Sequence, residues 1–181
     1  MKRLTTPGKN GGSRAPSERS AVIRVARSFG TPPERVFDAW LDPDVARRWL
    51  FATASQPMTD VAIDPRVGGS FRFAQRRDRA STEHTGEYIE IIRHRRLVFT
   101  LAVADRPYAL TRVTVEITPA KTGCELALTH EDVPPTLAHQ TEARWTGVLY
   151  GLGVTLPATA PEPTAGRRSR PARRFRAPAN D

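Results

Sequence analysis

The sequence predicts an α+β domain in which a seven-stranded, curved antiparallel sheet wraps around a long C-terminal helix. Three observations predict it. Apolar and polar residues alternate in several short runs, most of these runs follow one another with only short turns between them, and the chain after Pro135 changes to a helical spacing of apolar residues. Strands joined by short links pair as antiparallel neighbours. One face of such a sheet must be covered by helices.

The first part of the domain is predicted as one strand and two short helices. Residues Ser20–Ser28 alternate as a strand. Thr31 stands before two prolines and is expected to cap a helix over residues 32–41. Asp42 is expected to cap a second short helix over residues 43–50.

The middle of the chain is predicted as six consecutive strands, followed by the long helix. The strands are Met58–Ile63, Ser70–Ala74, His84–Ile92, Leu97–Val103, Arg112–Thr118 and Cys124–His130. The helix runs from about Pro135 to Leu156, with Trp145, Leu149, Leu152 and Leu156 on one stripe. Glycines at 147, 151 and 153 imply either fraying or a close approach of the helix to the sheet.

The segment DPRVGGSFRF, residues 64–73, raises the question of a phosphate-binding loop. In such a loop the glycines lie between a strand and a helix and are followed by Lys and Ser or Thr. Here Ser70-Phe-Arg-Phe73 continues as a strand and no lysine is present. Gly68 and Gly69 are therefore predicted to form a turn between two strands.

The net charge of +9 lies mainly in the two ends of the chain. Residues 1–19 are rich in Gly, Ser, Pro and basic residues, residues 157–181 are rich in Pro, Ala and Arg, and residues 20–156 are nearly neutral. Tails of this composition are predicted to be disordered, so residues 20–156 form the domain. The arginine-rich end is either a solvated tail or a weak contact with nucleic acid or an anionic surface.

The composition bears on metal and cofactor binding, on membrane insertion and on the cellular location of the protein. The histidines, at 84, 94, 130 and 139, have no spacing typical of metal ligands, so neither metal nor cofactor is expected. The single cysteine, Cys124, lies on an apolar strand face and is expected to be a buried thiol. No apolar run is long enough to insert in a membrane. A cytoplasmic location is consistent with this cysteine usage.

Several motifs, taken in order, resemble the family of activator-of-heat-shock-ATPase-like proteins. They are VFDAW (36–40), DP (42–43), Trp49, DPRVGGSFRF (64–73), HTGEY (84–88), RLVFT (96–100), VTV (113–115) and LALTH (126–130). This family belongs to the START-like, helix-grip superfamily, also called SRPBCC, which includes birch-pollen-allergen-like proteins and polyketide cyclases. Where the last helix of the family usually carries Gly-Trp, this chain has Arg144-Trp145.

The resemblance implies a hydrophobic cavity, which we expect to hold a small apolar or amphipathic ligand, and we predict no catalytic residues. The expected lining is Trp40, Trp49, Phe71, Phe73, His84, Tyr88, Phe99, Trp145 and Leu149. Two alternatives remain open: a co-chaperone-like module that binds a chaperone or another protein, and a cyclase-like enzyme. The enzyme would need one positioned acid or base, for which Glu83, Glu87, Glu90 and His84 are the candidates.

Overall fold

The computed structural model describes residues 20–52, 58–77, 80–104 and 110–158. Residues 1–19 and all but two residues of the predicted tail 157–181 lie outside the described residues. The elements are β1 (Ala21–Phe29), α1 (Pro33–Asp38), α2 (Pro43–Ala46), β2 (Asp60–Ile63), β3 (Ser70–Arg77), β4 (Ala80–Ile92), β5 (Arg96–Val103), β6 (Thr111–Ala120), β7 (Gly123–Val133), a 3-10 turn (Pro135–Leu137) and α3 (Ala138–Thr155).

The described strands form one antiparallel sheet in the order β1-β7-β6-β5-β4-β3-β2. The predicted fold class is confirmed. Consecutive strands from β2 to β7 are neighbours, and β1 closes the order by pairing with β7. Alternate residues of the central strands are buried in a core shared with the helices, as in Val113, Val115 and Ile117 of β6.

The glycine segment is a turn between β2 and β3, as predicted. Gly68 has φ 77°, a conformation that a residue with a β-carbon adopts only with strain. Its amide donates to the carbonyl of Tyr88 at 2.8 Å, and the amide of Tyr88 donates to the carbonyl of Gly69 at 2.9 Å. The turn is thereby fastened to β4, and no helix follows it.

The first two helices differ from the prediction at their ends. The N-cap of α1 is Pro32, and the hydroxyl of Thr31 donates instead to the carbonyl of Leu156 at 3.2 Å, so the predicted Thr31 cap is wrong. Thr31 is buried and therefore bonds across the core to the end of the last helix rather than locally. The predicted Asp42 cap is confirmed, since its carboxylate accepts from the amides of Asp44 and Val45.

Helix α3 is continuous across its glycines and packs against the sheet. Its buried residues are Trp145, Val148, Leu149 and Leu152, and Leu156 is buried just beyond its end. A β-carbon on Gly147 would meet nothing within 4 Å, so neither fraying nor close packing explains that glycine. No helix of the described residues is long and apolar enough to cross a membrane.

Candidate functional site

The main cavity lies between the first half of α3 and the ends of β4 to β7. Its volume is about 80 Å³. Most of its wall is apolar, and its polar groups come from two histidines, two threonines and an arginine. The lining residues are Phe51, His84, Leu101, Ala102, Val103, Thr111, His130, Val133, Pro134, Leu137, Thr141, Arg144, Trp145 and Val148.

A directed chain of hydrogen bonds crosses this wall and joins α3 to the sheet. The indole Nε1 of Trp145 donates to Nδ1 of His130 at 2.9 Å. Tryptophan can only donate, so the neutral imidazole carries its own proton on Nε2 and donates to Thr111 Oγ1 at 2.8 Å. Thr111 donates in turn to the carbonyl of Leu101 at 2.8 Å. The arrangement fixes one tautomer of His130.

Burial lowers the pKa of His130 to about 4, although the nearby Asp132 carboxylate acts in the opposite direction. A second ring proton would also face the indole N–H of Trp145. His130 is therefore neutral near pH 7, and both of its ring nitrogens are engaged in hydrogen bonds. This placement is that of a buried histidine whose hydrogen bonds are satisfied within the protein.

His84 also lies in the cavity wall, in contact with a residue from outside the sheet. It is 1% exposed, and its ring stacks on Phe51 with centroids 4.1 Å apart and planes 5° apart. Phe51 follows the two short helices and has φ 60°, which is unusual for a bulky side chain. His84 lies on β4, as predicted, and its side chain is in the cavity wall. The Phe51 ring covers one face of its imidazole.

A second, much smaller cavity of about 10 Å³ lies deeper in the aromatic core. Its lining residues are Trp40, Leu50, Phe51, Phe71, Phe73, Tyr88, Leu97 and Phe99. Gly86 makes room for the Phe71 ring, because a β-carbon there would collide with that ring and with the carbonyl of Thr100. Burial raises the pKa of the Tyr88 hydroxyl.

The residues expected to line one cavity are distributed over three places. His84 and Trp145 lie in the wall of the main cavity. Five others, Trp40, Phe71, Phe73, Tyr88 and Phe99, surround the small inner one. Trp49 and Leu149 are buried in the core and lie in the wall of neither cavity. Trp49 packs edge-on against Trp40 and donates its indole N–H to the carbonyl of Ala39.

Sequence reasoning missed several residues of the main wall. Phe51 follows a short helix in an irregular stretch, where neither period-two nor helical spacing marks it. Thr111 and Val133 lie at strand ends, beyond the predicted strands. Val148 follows Trp145 by three residues on α3, and that i, i+3 spacing could have identified it.

The candidate acids lie away from both cavities. Glu83 pairs with Arg72 at 2.7 Å, and Glu90 pairs with Arg96 at 3.2 Å. Glu87 is exposed and lines neither cavity, whereas the adjacent Tyr88 lines the inner one. Within the described ranges, no group of three or more His, Cys, Asp or Glu side chains is placed to hold a metal ion.

Cys124 is buried, as the sequence predicts. Burial raises the pKa of its thiol, and the negative charge of Glu34 adds to this effect. A thiol held in the protonated form is a weak nucleophile. Cys124 also lies in the wall of neither cavity, so its position is that of a core residue.

An antiparallel sheet packed on a C-terminal helix, with a cavity between them, defines the helix-grip class of proteins. The family model described as "Activator of Hsp90 ATPase homolog 1-like protein" matches residues 30–156. The chain belongs to this family, and the resemblance stated from the sequence is confirmed. A search of curated proteins found no match.

Solved structures of similar fold come from several bacteria. Protein CV1439 from Chromobacterium violaceum has a TM-score of 0.68 at 25% identity, over 75% of this chain and 96% of that one. An AHSA1-like protein from Aeromonas hydrophila has a TM-score of 0.64 at 24% identity, over 75% and 91%. A protein from Rhizobium leguminosarum has a TM-score of 0.65 at 20% identity, over 76% and 94%.

Proposed function

We propose that this protein binds a small, mainly apolar molecule in the cavity between α3 and the sheet. The observation that carries the proposal is a mainly apolar wall in which one of the two histidines, His130, already uses both ring nitrogens within the protein. A histidine held in this way orients the wall and is not available as a general base. For His130, a role in shaping a binding site therefore accounts for the geometry better than catalysis does.

The size of the cavity limits the ligand. An engineered cavity of about 150 Å³ in another protein holds one benzene molecule. The present cavity, at about 80 Å³, holds only part of such a ring unless side chains move. We infer that the ligand inserts an apolar end and leaves its remainder at the mouth, near Leu137 and Arg144. Burying each 100 Å² of apolar surface contributes about 2.5 kcal/mol.

The test is a thermal-shift screen with phenols, ketones and short carboxylic acids, followed by calorimetry of the compounds that stabilise the protein. Val148→Phe should fill the cavity and abolish binding, because Val148 lines it. Val154→Phe is the matched control: it makes the same change on the same helix at a side chain that is 67% exposed, and it should leave binding unchanged.

Equal affinity of Val148→Phe and Val154→Phe for the ligand would contradict the assignment of the binding site to the main cavity. A complete absence of stabilising compounds would contradict the function. Loss of binding in Val148→Phe counts only if the circular dichroism spectrum shows that the variant is folded. If it is not, Val103→Phe makes the same change at another residue of the wall.

A second candidate is the co-chaperone-like role that the family name describes. It is favoured by exposed apolar side chains on the outer face of α3, where Tyr150 and Val154 are both more than half exposed. The test is stimulation of Hsp90 ATPase activity by the protein. Loss of stimulation in Tyr150→Ser, but not in Val148→Phe, would assign the activity to this outer face.

A further inference from the structure

We propose that Phe51 divides one ligand channel into an outer and an inner chamber, and that the ligand is a neutral carbonyl compound whose oxygen reaches Trp40. The outer chamber is the main cavity, so this inference rests on the proposed function. The inner chamber is the small aromatic cavity. The Phe51 ring belongs to the wall of both.

The contacts of Phe51 support its place between the chambers. On the outer side its ring stacks on His84 at 4.1 Å and lies 5.8 Å from the Trp145 ring. On the inner side it meets Phe73 edge-on at 5.6 Å. Rotation of this one side chain would therefore remove the partition without moving any strand of the sheet.

The backbone of Phe51 gives a physical reason for such a rotation. Its φ of 60° lies in the left-handed region, which is strained for a residue with a bulky side chain. The side chain is 6% exposed, so packing of the ring holds the residue in this conformation. A ligand that replaces the ring in its contacts would release part of that strain.

Trp40 lines the inner chamber and has a donor that the described part of the chain leaves unused, which an elongated ligand could reach only after Phe51 moves, because the surface of the closed chamber is wholly apolar. Trp40 is 1% exposed, and its indole Nε1 has no hydrogen-bond partner among the described residues. A buried donor without a partner is unfavourable, so a ligand acceptor that reaches it would gain affinity. At about 10 Å³ the chamber is close to the size of one water molecule, so a ligand enters only if Phe51 moves.

The chemistry of the inner wall selects the class of ligand. Apart from the Trp40 indole and the Tyr88 hydroxyl, the residues that line it are wholly apolar, and none carries a charge. A buried charge without a counter-ion is strongly unfavourable, so the leading group is a neutral acceptor. A ketone, aldehyde or ester on an aliphatic or aromatic body fits these conditions, and a carboxylate does not.

The test follows the indole N–H signals of the three tryptophans in ¹⁵N-labelled full-length protein. Trp145 reports on the outer chamber and Trp40 on the inner one, and the third signal belongs to Trp49, which donates to the carbonyl of Ala39. The probes are 2-butanone, 4-phenyl-2-butanone and n-butylbenzene. They provide a short ketone, a long ketone and a hydrocarbon of similar shape without the oxygen.

We expect 2-butanone to shift the Trp145 signal alone. We expect 4-phenyl-2-butanone to shift the Trp145 signal and to move the Trp40 indole proton downfield, and n-butylbenzene to cause no downfield movement of Trp40. An unchanged Trp40 signal with a responding Trp145 would overturn the inner chamber and leave the proposed function standing. If neither signal responds to any probe, the proposed function fails as well.

Two variants distinguish removal of a partition between the chambers from a simple enlargement of the outer chamber. Phe51→Ala removes the ring between the chambers, so even 2-butanone should then shift Trp40. Leu101→Ala enlarges only the outer wall, and there 2-butanone should still shift Trp145 alone. The same Trp40 response in both variants would contradict the partition. The titration of the unmodified protein decides the proposal even if a variant does not fold.

Discussion

At the scale of single residues, the clearest constraint is the pair formed by His130 and Trp145. Each satisfies a buried polar atom of the other, and the pair joins α3 to β7. The hydroxyl of Thr111 accepts from His130 and donates to the backbone of β5. These hydrogen bonds require a neutral imidazole at His130, so they depend on pH.

Protonation of His130 should destabilise the fold. The pKa of His130 is about 4 in the folded protein, whereas it is near 6.5 in the unfolded chain. Between these values the unfolded chain binds a proton that the folded protein does not, so the free energy of unfolding should fall as the pH falls from 6.5 to 4. The total loss from this group is up to about 3 kcal/mol.

Urea denaturation at several pH values between 6.5 and 4.5 measures this slope. His130→Gln should flatten it, because the titrating group is gone. His139→Gln is the control, since His139 is exposed on the surface of α3, and it should retain the slope. An identical slope in the unmodified protein and in His130→Gln would contradict the assignment.

Removing the indole donor should reveal the coupling between the same two residues. Trp145→Phe leaves Nδ1 of His130 without its donor, which we expect to cost about 1–3 kcal/mol of unfolding free energy beyond the loss of packing. In a His130→Leu background the same substitution should cost less. A double-mutant cycle by urea denaturation measures the difference, and additive effects would show that the bond contributes nothing.

At the scale of elements, two glycines occupy opposite environments. Gly147 lies on the open face of α3, where a β-carbon meets nothing within 4 Å. Gly147→Ala should therefore raise the free energy of unfolding by about 0.5–1 kcal/mol, because alanine is the better helix former. Gly86→Ala should instead destabilise β4 strongly, since its β-carbon would collide with Phe71 and the β5 backbone.

Thermal unfolding of both variants measures these opposite shifts. A lower melting temperature for Gly147→Ala would show that this face of α3 is covered in solution. An unchanged melting temperature for Gly86→Ala would contradict the close contact between β4 and the Phe71 ring.

The elements also show what the sequence could and could not predict. Period-two alternation located every strand of the described residues, because each has one face toward the core, but it missed strand ends such as Thr111. Thr31 looked like a helix cap, and only its distant partner Leu156 explains its true role. Contacts between residues far apart in sequence carry no local signal.

At the scale of the whole molecule, the same limit applies to the cavity. Alternation predicted that the aromatic side chains of the strands face inward, yet it could not show that they border two cavities with Phe51 in the wall of both. Phe51 has a positive φ, which no propensity predicts for a phenylalanine. The nine expected lining residues were all buried, but which of them border empty space is decided by packing.

The central claim is that small apolar molecules bind between α3 and the sheet. The most direct measurement is the set of intermolecular NOEs between a bound ketone and the methyl groups of the ¹³C-labelled protein. The account predicts NOEs to Leu101, Val133 and Val148, whose side chains line the main cavity. NOEs confined to exposed methyl groups such as those of Val22 and Val154 would contradict it.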